Sequence, residues 1–130
     1  MTYGIRRELQ GTYDEALTQV PEALKTEGFG ILSEIDIQST LKQKLGIDFR
    51  RYTILGACNP PLAHEALTTE IEIGLMLPCN VIVYEGDDKR AVVVAIDPTM
   101  TMAATGDAKL TELANAVKEK LTSALDLLQQ

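Results

Sequence analysis

The chain has 130 residues, of which 45% are hydrophobic, and its 19 acidic and 12 basic residues give a net charge of −7 at pH 7. A chain of this length and apolar content forms one domain around its own core, so we expect residues 1–130 to fold as a single unit. The acidic charge argues against nucleic acid and membrane surfaces as partners, since both attract basic proteins.

The first part of the chain predicts a strand followed by a helix. Residues 3–10 alternate apolar and polar side chains, with Arg7 as the exception on the apolar face, which is typical of a half-buried strand, and Gly11 ends the pattern. Residues 12–15 read Thr-Tyr-Asp-Glu and fit a capping box, whose threonine and glutamate satisfy free N–H groups at a helix start. Apolar residues at helical spacing follow as far as Gly28, and Pro21 inside them predicts a kink or a break.

The next part predicts two strands around a short helix. Residues 29–35 form the second strand, and Asp36 then caps a helix over residues 37–45 that Gly46 ends. Residues 49–58 form the third strand.

The second half predicts a short helix, a hairpin and a long helix. The short helix covers residues 61–67, while residues 68–78 fit neither a helix nor a strand clearly. Residues 80–85 and 91–96 are nearly continuous β-branched runs, typical of a hairpin of interior strands covered on both faces. From Asp107 onward, leucine, alanine and valine at helical spacing predict the longest helix.

This order of elements predicts the fold class. Five strands with two long helices and shorter ones indicate an α+β fold, a two-layer sandwich with a mixed five-stranded sheet. The helices are expected mainly on one face of the sheet, which is then the core. The other face needs water or a partner, so the apolar strands also predict a homodimer.

The compartment is predicted from the start of the chain and from the cysteines. The opening MTYGIRREL lacks the apolar stretch of a signal peptide, so we expect a cytoplasmic protein. In a reducing cytoplasm the two cysteines are free thiols, and two are too few for a four-ligand zinc site.

The candidate site consists of Cys58, Asn59, His64 and Cys79. The two thiols and the histidine fall within 22 residues (79 − 58 + 1), beside strand ends and prolines. Cys58 precedes a helix expected to begin at Pro61, and the positive end of a helix favours a reactive thiolate. We therefore expect Cys58 to be the more reactive thiol, with Asn59 at the rim of the site.

The strand directions decide whether these side chains meet. If the strands ending at Cys58 and beginning at Cys79 are antiparallel neighbours, both thiols lie at one end of the sheet, with His64 between them. If the strands are parallel, the thiols lie at opposite ends. The connecting residues 59–78 are long enough for either arrangement.

Three segments resemble a known family. The stretches GFGILSEIDIQSTLKQKLGIDFRRYTILGACNPPLAHEAL, EIGLMLPCNVIVYE and VVAIDP are similar to the family of domain of unknown function DUF302, and the resemblance covers residues 3–125. It implies a compact α+β fold, usually a homodimer, with no established activity. The positions that match the family pattern are Cys58, Asn59, Pro60, His64, Pro78, Cys79 and Asn80.

Three functional interpretations follow from these observations. The first is a homodimeric binding module whose Cys58, His64 and Cys79 pocket takes a small molecule, a sulfur species, a metal or haem. The second is a thiol enzyme or sulfur carrier with Cys58 as nucleophile, and the third is a structural domain whose cysteines only pack. The chain carries no diagnostic catalytic motif, so the binding module is our working prediction, and the cofactor is left unassigned.

Overall fold

A computed structural model describes residues 3–130. Its elements in chain order are β1 (Gly4–Thr12), α1 (Tyr13–Lys25), β2 (Gly30–Asp36), α2 (Ile37–Leu45), β3 (Tyr52–Cys58), α3 (Pro60–Thr69), a 3-10 helix (Ile71–Met76), β4 (Cys79–Glu85), β5 (Arg90–Ile96), α4 (Pro98–Met102), a 3-10 turn (Ala103–Thr105) and α5 (Ala108–Asp126). Within the described residues, each helix is too short or too polar to cross a lipid bilayer.

The five strands form one sheet in the order β1-β5-β4-β3-β2, and every neighbouring pair is antiparallel. The predicted α+β sandwich is confirmed, but the prediction of a mixed sheet is wrong. β1 and β2 run in the same direction, yet they form the two opposite edges of the sheet. The crossover through α1 therefore creates no parallel pair.

The helix ends follow the local sequence chemistry. Thr12 and Glu15 form the predicted capping box, and α1 then continues through Pro21 without a break. Asp36 caps α2 by accepting a hydrogen bond from the Ser39 N–H at 2.9 Å. At the other end of α2, Gly46 adopts the left-handed backbone (φ 69°) that glycine tolerates best.

Some predicted boundaries shift by a few residues. β1 continues through Gly11 to Thr12, and β3 begins at Tyr52 rather than at residue 49. α3 covers Pro60–Thr69 instead of residues 61–67. The ambiguous stretch before β4 contains the 3-10 helix.

The core lies between the sheet and α1 with α5. Leu55, Val81, Val83 and Val93 point from the central strands into this layer and are at most 1% exposed. A second apolar cluster lies where α3, the 3-10 helix and α4 meet α5, and it contains Ala66, Ile73, Met102, Leu110, Leu113 and Ala114. The end of the sheet nearest α3 is therefore enclosed by helices.

The hairpin of β4 and β5 occupies the interior of the sheet, as the β-branched runs predicted. Residues 91–95 are all buried. On the face away from α1, the rings of Tyr52 and Tyr84 stack with centroids 5.6 Å apart. This face is thus partly covered by its own aromatic side chains.

Candidate functional site

The direction of β3 and β4 brings the two cysteines to the same end of the sheet. These strands are antiparallel neighbours, and Ala57 on β3 stands opposite Cys79 on β4. The end of β3 and the start of β4 therefore coincide, which is the first of the two arrangements that the sequence left open. α3 and the 3-10 helix form the connection between them.

A cavity of about 300 Å³ lies at this end of the sheet. The strand ends contribute Cys58, Asn59 and Cys79, so three of the four predicted site residues line it. Small side chains in the lining, among them that of Ala57 at the end of β3, leave room for the cavity. The remaining lining residues come mainly from the helices: Leu62, Ala63, Ala66 and Leu67 from α3, Gly74 and Leu77 from the 3-10 region, Met102 from α4, and Leu113 and Val117 from α5.

The lining is almost entirely apolar. Among the described residues that form it, none carries a charged side chain. The groups that can make polar contacts are the two thiols and the Asn59 amide, apart from the backbone. Such a surface favours uncharged, apolar contents, because an ion would lose its hydration without gaining a partner.

The two thiols differ in burial. Cys79 is 6% exposed, and burial, with a smaller contribution from the charge of Cys58, raises the pKa of its thiol to about 11. Cys79 is therefore neutral at pH 7 and packs as a small apolar residue. Cys58 is half-buried. Both cysteines are free, as expected, and the residue opposite Cys79 is Ala57 rather than Cys58.

The start of α3 corrects the argument for an activated Cys58. The helix begins at Pro60 rather than at Pro61, with Asn59 as its N-cap, and the Asn59 side chain makes no capping hydrogen bond. Prolines have no N–H group, so the first two positions of α3 offer no donor to an anion. The positive end of this helix is thus weaker than the sequence argument assumed.

Asn59 has a structural role in addition to lining the cavity. Its Nδ2 donates a hydrogen bond to the carbonyl oxygen of Glu27 at 3.0 Å, and the residue is 9% exposed. The neighbouring Gly28 has φ 87°, and a Cβ atom there would lie 3.1 Å from the same Nδ2. Asn59 therefore joins the start of α3 to the turn that precedes β2.

His64 does not share the cavity, which corrects the expectation that it lies between the thiols. It is exposed, whereas Leu62, Ala63 and Ala66 of the same helix line the cavity. A residue two positions after Leu62 lies about 200° around the helix axis, on the solvent side. Within residues 3–130, no three His, Cys, Asp or Glu side chains are placed to hold a metal ion.

Sequence reasoning missed the part of the lining that comes from the C-terminal third of the chain. Met102 precedes the predicted long helix, and Leu113 and Val117 belong to the apolar pattern that predicted it. They meet the cavity because α5 packs on α3 and α4. The sequence of α3 does contain a sign of a cavity. The small residues Ala63 and Ala66 lie on the same side of the helix as Leu62 and Leu67.

Comparisons with known proteins agree on one family. The family model described as "Domain of unknown function DUF302" matches residues 5–128. A crystal structure of an uncharacterized conserved DUF302 protein from Bacillus stearothermophilus is similar, with 28% sequence identity and a TM-score of 0.92 over 99% of this chain and 100% of that one. A comparison with curated proteins gave no match.

Proposed function

The chain belongs to the DUF302 family, and we propose that it is a binding module that takes one small, uncharged, largely apolar molecule into the cavity between β3, β4, α3 and α5. The observation that carries this proposal is the cavity itself. Its volume of about 300 Å³ is at the lower end of the usual range for ligand sites, about 300–1,000 Å³.

The chemistry of the lining supports an apolar ligand. Each Å² of apolar surface that a ligand removes from water contributes about 25 cal/mol. An ionised ligand would find no opposite charge among the described lining residues, so its desolvation would go uncompensated. The half-buried thiol of Cys58 supplies one polarisable contact.

A metal or haem version of the predicted site is not part of this proposal. That version required His64 beside Cys58 and Cys79, and His64 lies on the exposed side of α3. Two thiols remain, of which Cys79 stays protonated at pH 7. A protonated thiol is a poor metal ligand, since metals bind the thiolate.

The proposal is tested with a neutral apolar dye, N-phenyl-1-naphthylamine, whose fluorescence rises in apolar surroundings. We expect saturable binding to the native protein. Ala63→Leu fills part of the cavity from α3. It should weaken the binding of the dye at least about tenfold, since the added side chain occupies the space that the dye needs. Ala108→Leu adds the same side chain on the exposed start of α5 and should leave binding unchanged.

Two results would contradict this function. One is the absence of saturable dye binding to the native protein. The other is equal binding by a folded Ala63→Leu variant, with circular dichroism as the check on folding. Either result would favour the interpretation that the cysteines only pack in the core.

A further inference from the structure

The two cysteines of the cavity are close enough for one small group to join them. Ala57 pairs with Cys79 across β3 and β4, and Cys58 is the residue after Ala57. Neighbouring strands lie about 4.8 Å apart and rise about 3.3 Å per residue, so the Cα atoms of Cys58 and Cys79 are about 6 Å apart. Cysteines that share a disulfide have Cα atoms roughly 4.4–6.8 Å apart, so this separation can be bridged.

Both cysteines also border the same space. Alternation along a regular strand would point neighbouring residues to opposite faces, but Cys58 is the last residue of β3 and lines the same cavity as Cys79. The charge of Cys58 contributes to the raised pKa of the Cys79 thiol, which agrees with two thiols that lie near each other. The cavity therefore presents a pair of thiols to its contents.

The thiol of Cys79 is buried without a partner. The residue is 6% exposed, neither cysteine forms a disulfide, and none of the described residues hydrogen-bonds to the Cys79 sulfur. Alone, such a thiol packs as a small apolar residue. Beside Cys58 and an open space, it is also a second bonding position for a molecule in the cavity.

The surroundings restrict which centre can bind both thiols. Within residues 3–130, no third His, Cys, Asp or Glu side chain joins the pair, whereas zinc takes three or four protein ligands. A charged adduct would be unfavourable, because the described lining residues carry no opposite charge. The centre must therefore bind two sulfurs and leave no net charge. Trivalent arsenic with one organic group meets both conditions.

We propose that the cavity binds uncharged arsenic(III) compounds that carry one small apolar group, with Cys58 and Cys79 as the two sulfur ligands. The assignment rests on the proposed function, because the apolar group occupies the same cavity. Two S–H bonds and two As–OH bonds break, two As–S bonds form, and two water molecules leave. Arsenic stays trivalent and neither sulfur is oxidised. Each thiol proton leaves in water, so a thiol that is neutral at pH 7, such as that of Cys79, can react.

Phenylarsine oxide, which is hydrated to the dihydroxide in water, is the probe. An apolar cavity of about 150 Å³ holds benzene, so about 300 Å³ has room for the phenyl group. We expect mass spectrometry to find one arsenical per native chain and the count of free thiols to fall from two to zero.

Three variants show whether both thiols bind the arsenic. Cys58→Ser and Cys79→Ala should each weaken binding at least about hundredfold, because two linked contacts raise affinity by about 10²–10⁴-fold over one. His64→Ala is the control. It removes an exposed side chain from α3 and should leave the affinity unchanged. Circular dichroism checks that each variant is folded.

A second probe shows whether the organic group enters the cavity. The 4-carboxylate of phenylarsine oxide forms the same two As–S bonds but carries a charge. Native protein should bind it at least about tenfold more weakly, because the lining offers the carboxylate no partner. Dithiothreitol is the reference, since it has two thiols and no cavity and should bind both arsenicals equally.

The loss of only one thiol from native protein would overturn the proposal, and so would unchanged affinity in either folded cysteine variant. Equal affinity of native protein for the two arsenicals would also overturn it, since the organic group would then lie in solvent. The naphthylamine dye separates this proposal from the proposed function. Dye binding without the loss of two thiols removes only the arsenical. Loss of both thiols without dye binding contradicts the general binding module and keeps the dithiol site.

Discussion

Ala57 and Cys79 stand directly opposite each other on β3 and β4, and their pairing sets the position of the cavity. The twenty residues that separate Cys58 from Cys79 must leave the sheet and return to the same end. They do so as α3 and the 3-10 helix, which form one wall of the space. The cavity is thus a product of strand direction as much as of its lining residues.

The two cysteines should react at different rates. Cys58 is half-buried, whereas Cys79 is 6% exposed with a thiol pKa of about 11. Only the thiolate attacks an alkylating reagent, so at pH 8 we expect native Cys58 to react at least about tenfold faster than Cys79. Mass spectrometry of the alkylated peptides measures both rates, and thiol counting on denatured protein should find two thiols.

Two variants show which cysteine gives the fast alkylation and which gives the slow one. Cys58→Ser should abolish the fast reaction, and Cys79→Ala should preserve it. Equal rates for the two cysteines would contradict the burial argument. A Cys58 rate far above that of an unstructured cysteine peptide would instead favour the thiol enzyme or sulfur carrier over a binding module.

The buried carboxylate of Asp97 should make stability depend on pH. It accepts hydrogen bonds from the Thr99 N–H at 3.0 Å and hydroxyl at 2.6 Å, and the Lys118 ammonium lies 2.9 Å away. Burial is the largest influence and raises the pKa of Asp97, but the bonds from Thr99 and Lys118 together outweigh it and lower the pKa below its ordinary value. The resulting stability is complete above the unfolded value of about 3.9 and is lost as pH falls through the folded pKa.

Asp97→Asn should therefore lower the free energy of unfolding by about 1–3 kcal/mol at pH 7 and by less at pH 2. Urea denaturation across this pH range measures both. Asp126→Asn is the control, because its ion pair with Arg7 (2.9 Å) is on the surface and should contribute less than about 1 kcal/mol. Equal losses in the two variants would refute the role of Asp97.

A buried hydrogen bond links α1 to the central sheet. The hydroxyl groups of Tyr13 and Thr53 bond to each other, and both residues are at most 4% exposed. Tyr13→Phe leaves the Thr53 hydroxyl without this partner and should cost about 1–3 kcal/mol. Arg51 lies over the Tyr13 ring at 4.5 Å, and phenylalanine keeps that contact.

Thr53→Val added to Tyr13→Phe gives a double-mutant cycle for this bond. We expect the double variant to be more stable than the sum of the single changes predicts, since no unpaired hydroxyl is left. Thermal or urea unfolding measures the free energy of unfolding of each variant. Strict additivity would show that the bond contributes nothing to stability.

Replacing Gly56 with a larger residue should destabilise the protein. A Cβ atom there would lie 2.8 Å from Cγ of Pro78 and would also collide with the Ser33 hydroxyl. Gly56→Ala should cost about 1–3 kcal/mol, because the proline ring has to move. At Gly74 the nearest atom would be 3.9 Å away in Leu67, so Gly74→Ala is the control and should change the unfolding midpoint little.

The sequence predicted features that depend on neighbouring residues. The capping box of Thr12 with Glu15, and the helix between Asp36 and Gly46, were placed correctly, because caps and left-handed glycines act within one turn of chain. The location of the two thiols at strand ends was also predicted, since residues 49–58 and 80–85 were both assigned to strands from their sequence patterns.

Features that depend on contacts between residues far apart in the chain could not be predicted from the sequence. The prediction of a mixed sheet was wrong, because the order of the strands depends on where the chain crosses the sheet through α1 and not on a local sequence pattern. His64 was misplaced because the packing of Leu62 and Ala66, rather than the sequence around the histidine, decides which side of α3 faces the cavity. The lining residues that α4 and α5 contribute begin at Met102, which is 23 residues beyond Cys79 (102 − 79).

The hydrogen bond from Asn59 to Glu27 joins the cavity to the turn before β2. A molecule in the proposed site would contact Asn59, which lines the cavity, and through this hydrogen bond it would act on the turn. Thermodynamic linkage makes any such coupling reciprocal. By whatever factor an ordered turn would tighten the binding of such a ligand, the ligand would favour the ordered turn by the same factor.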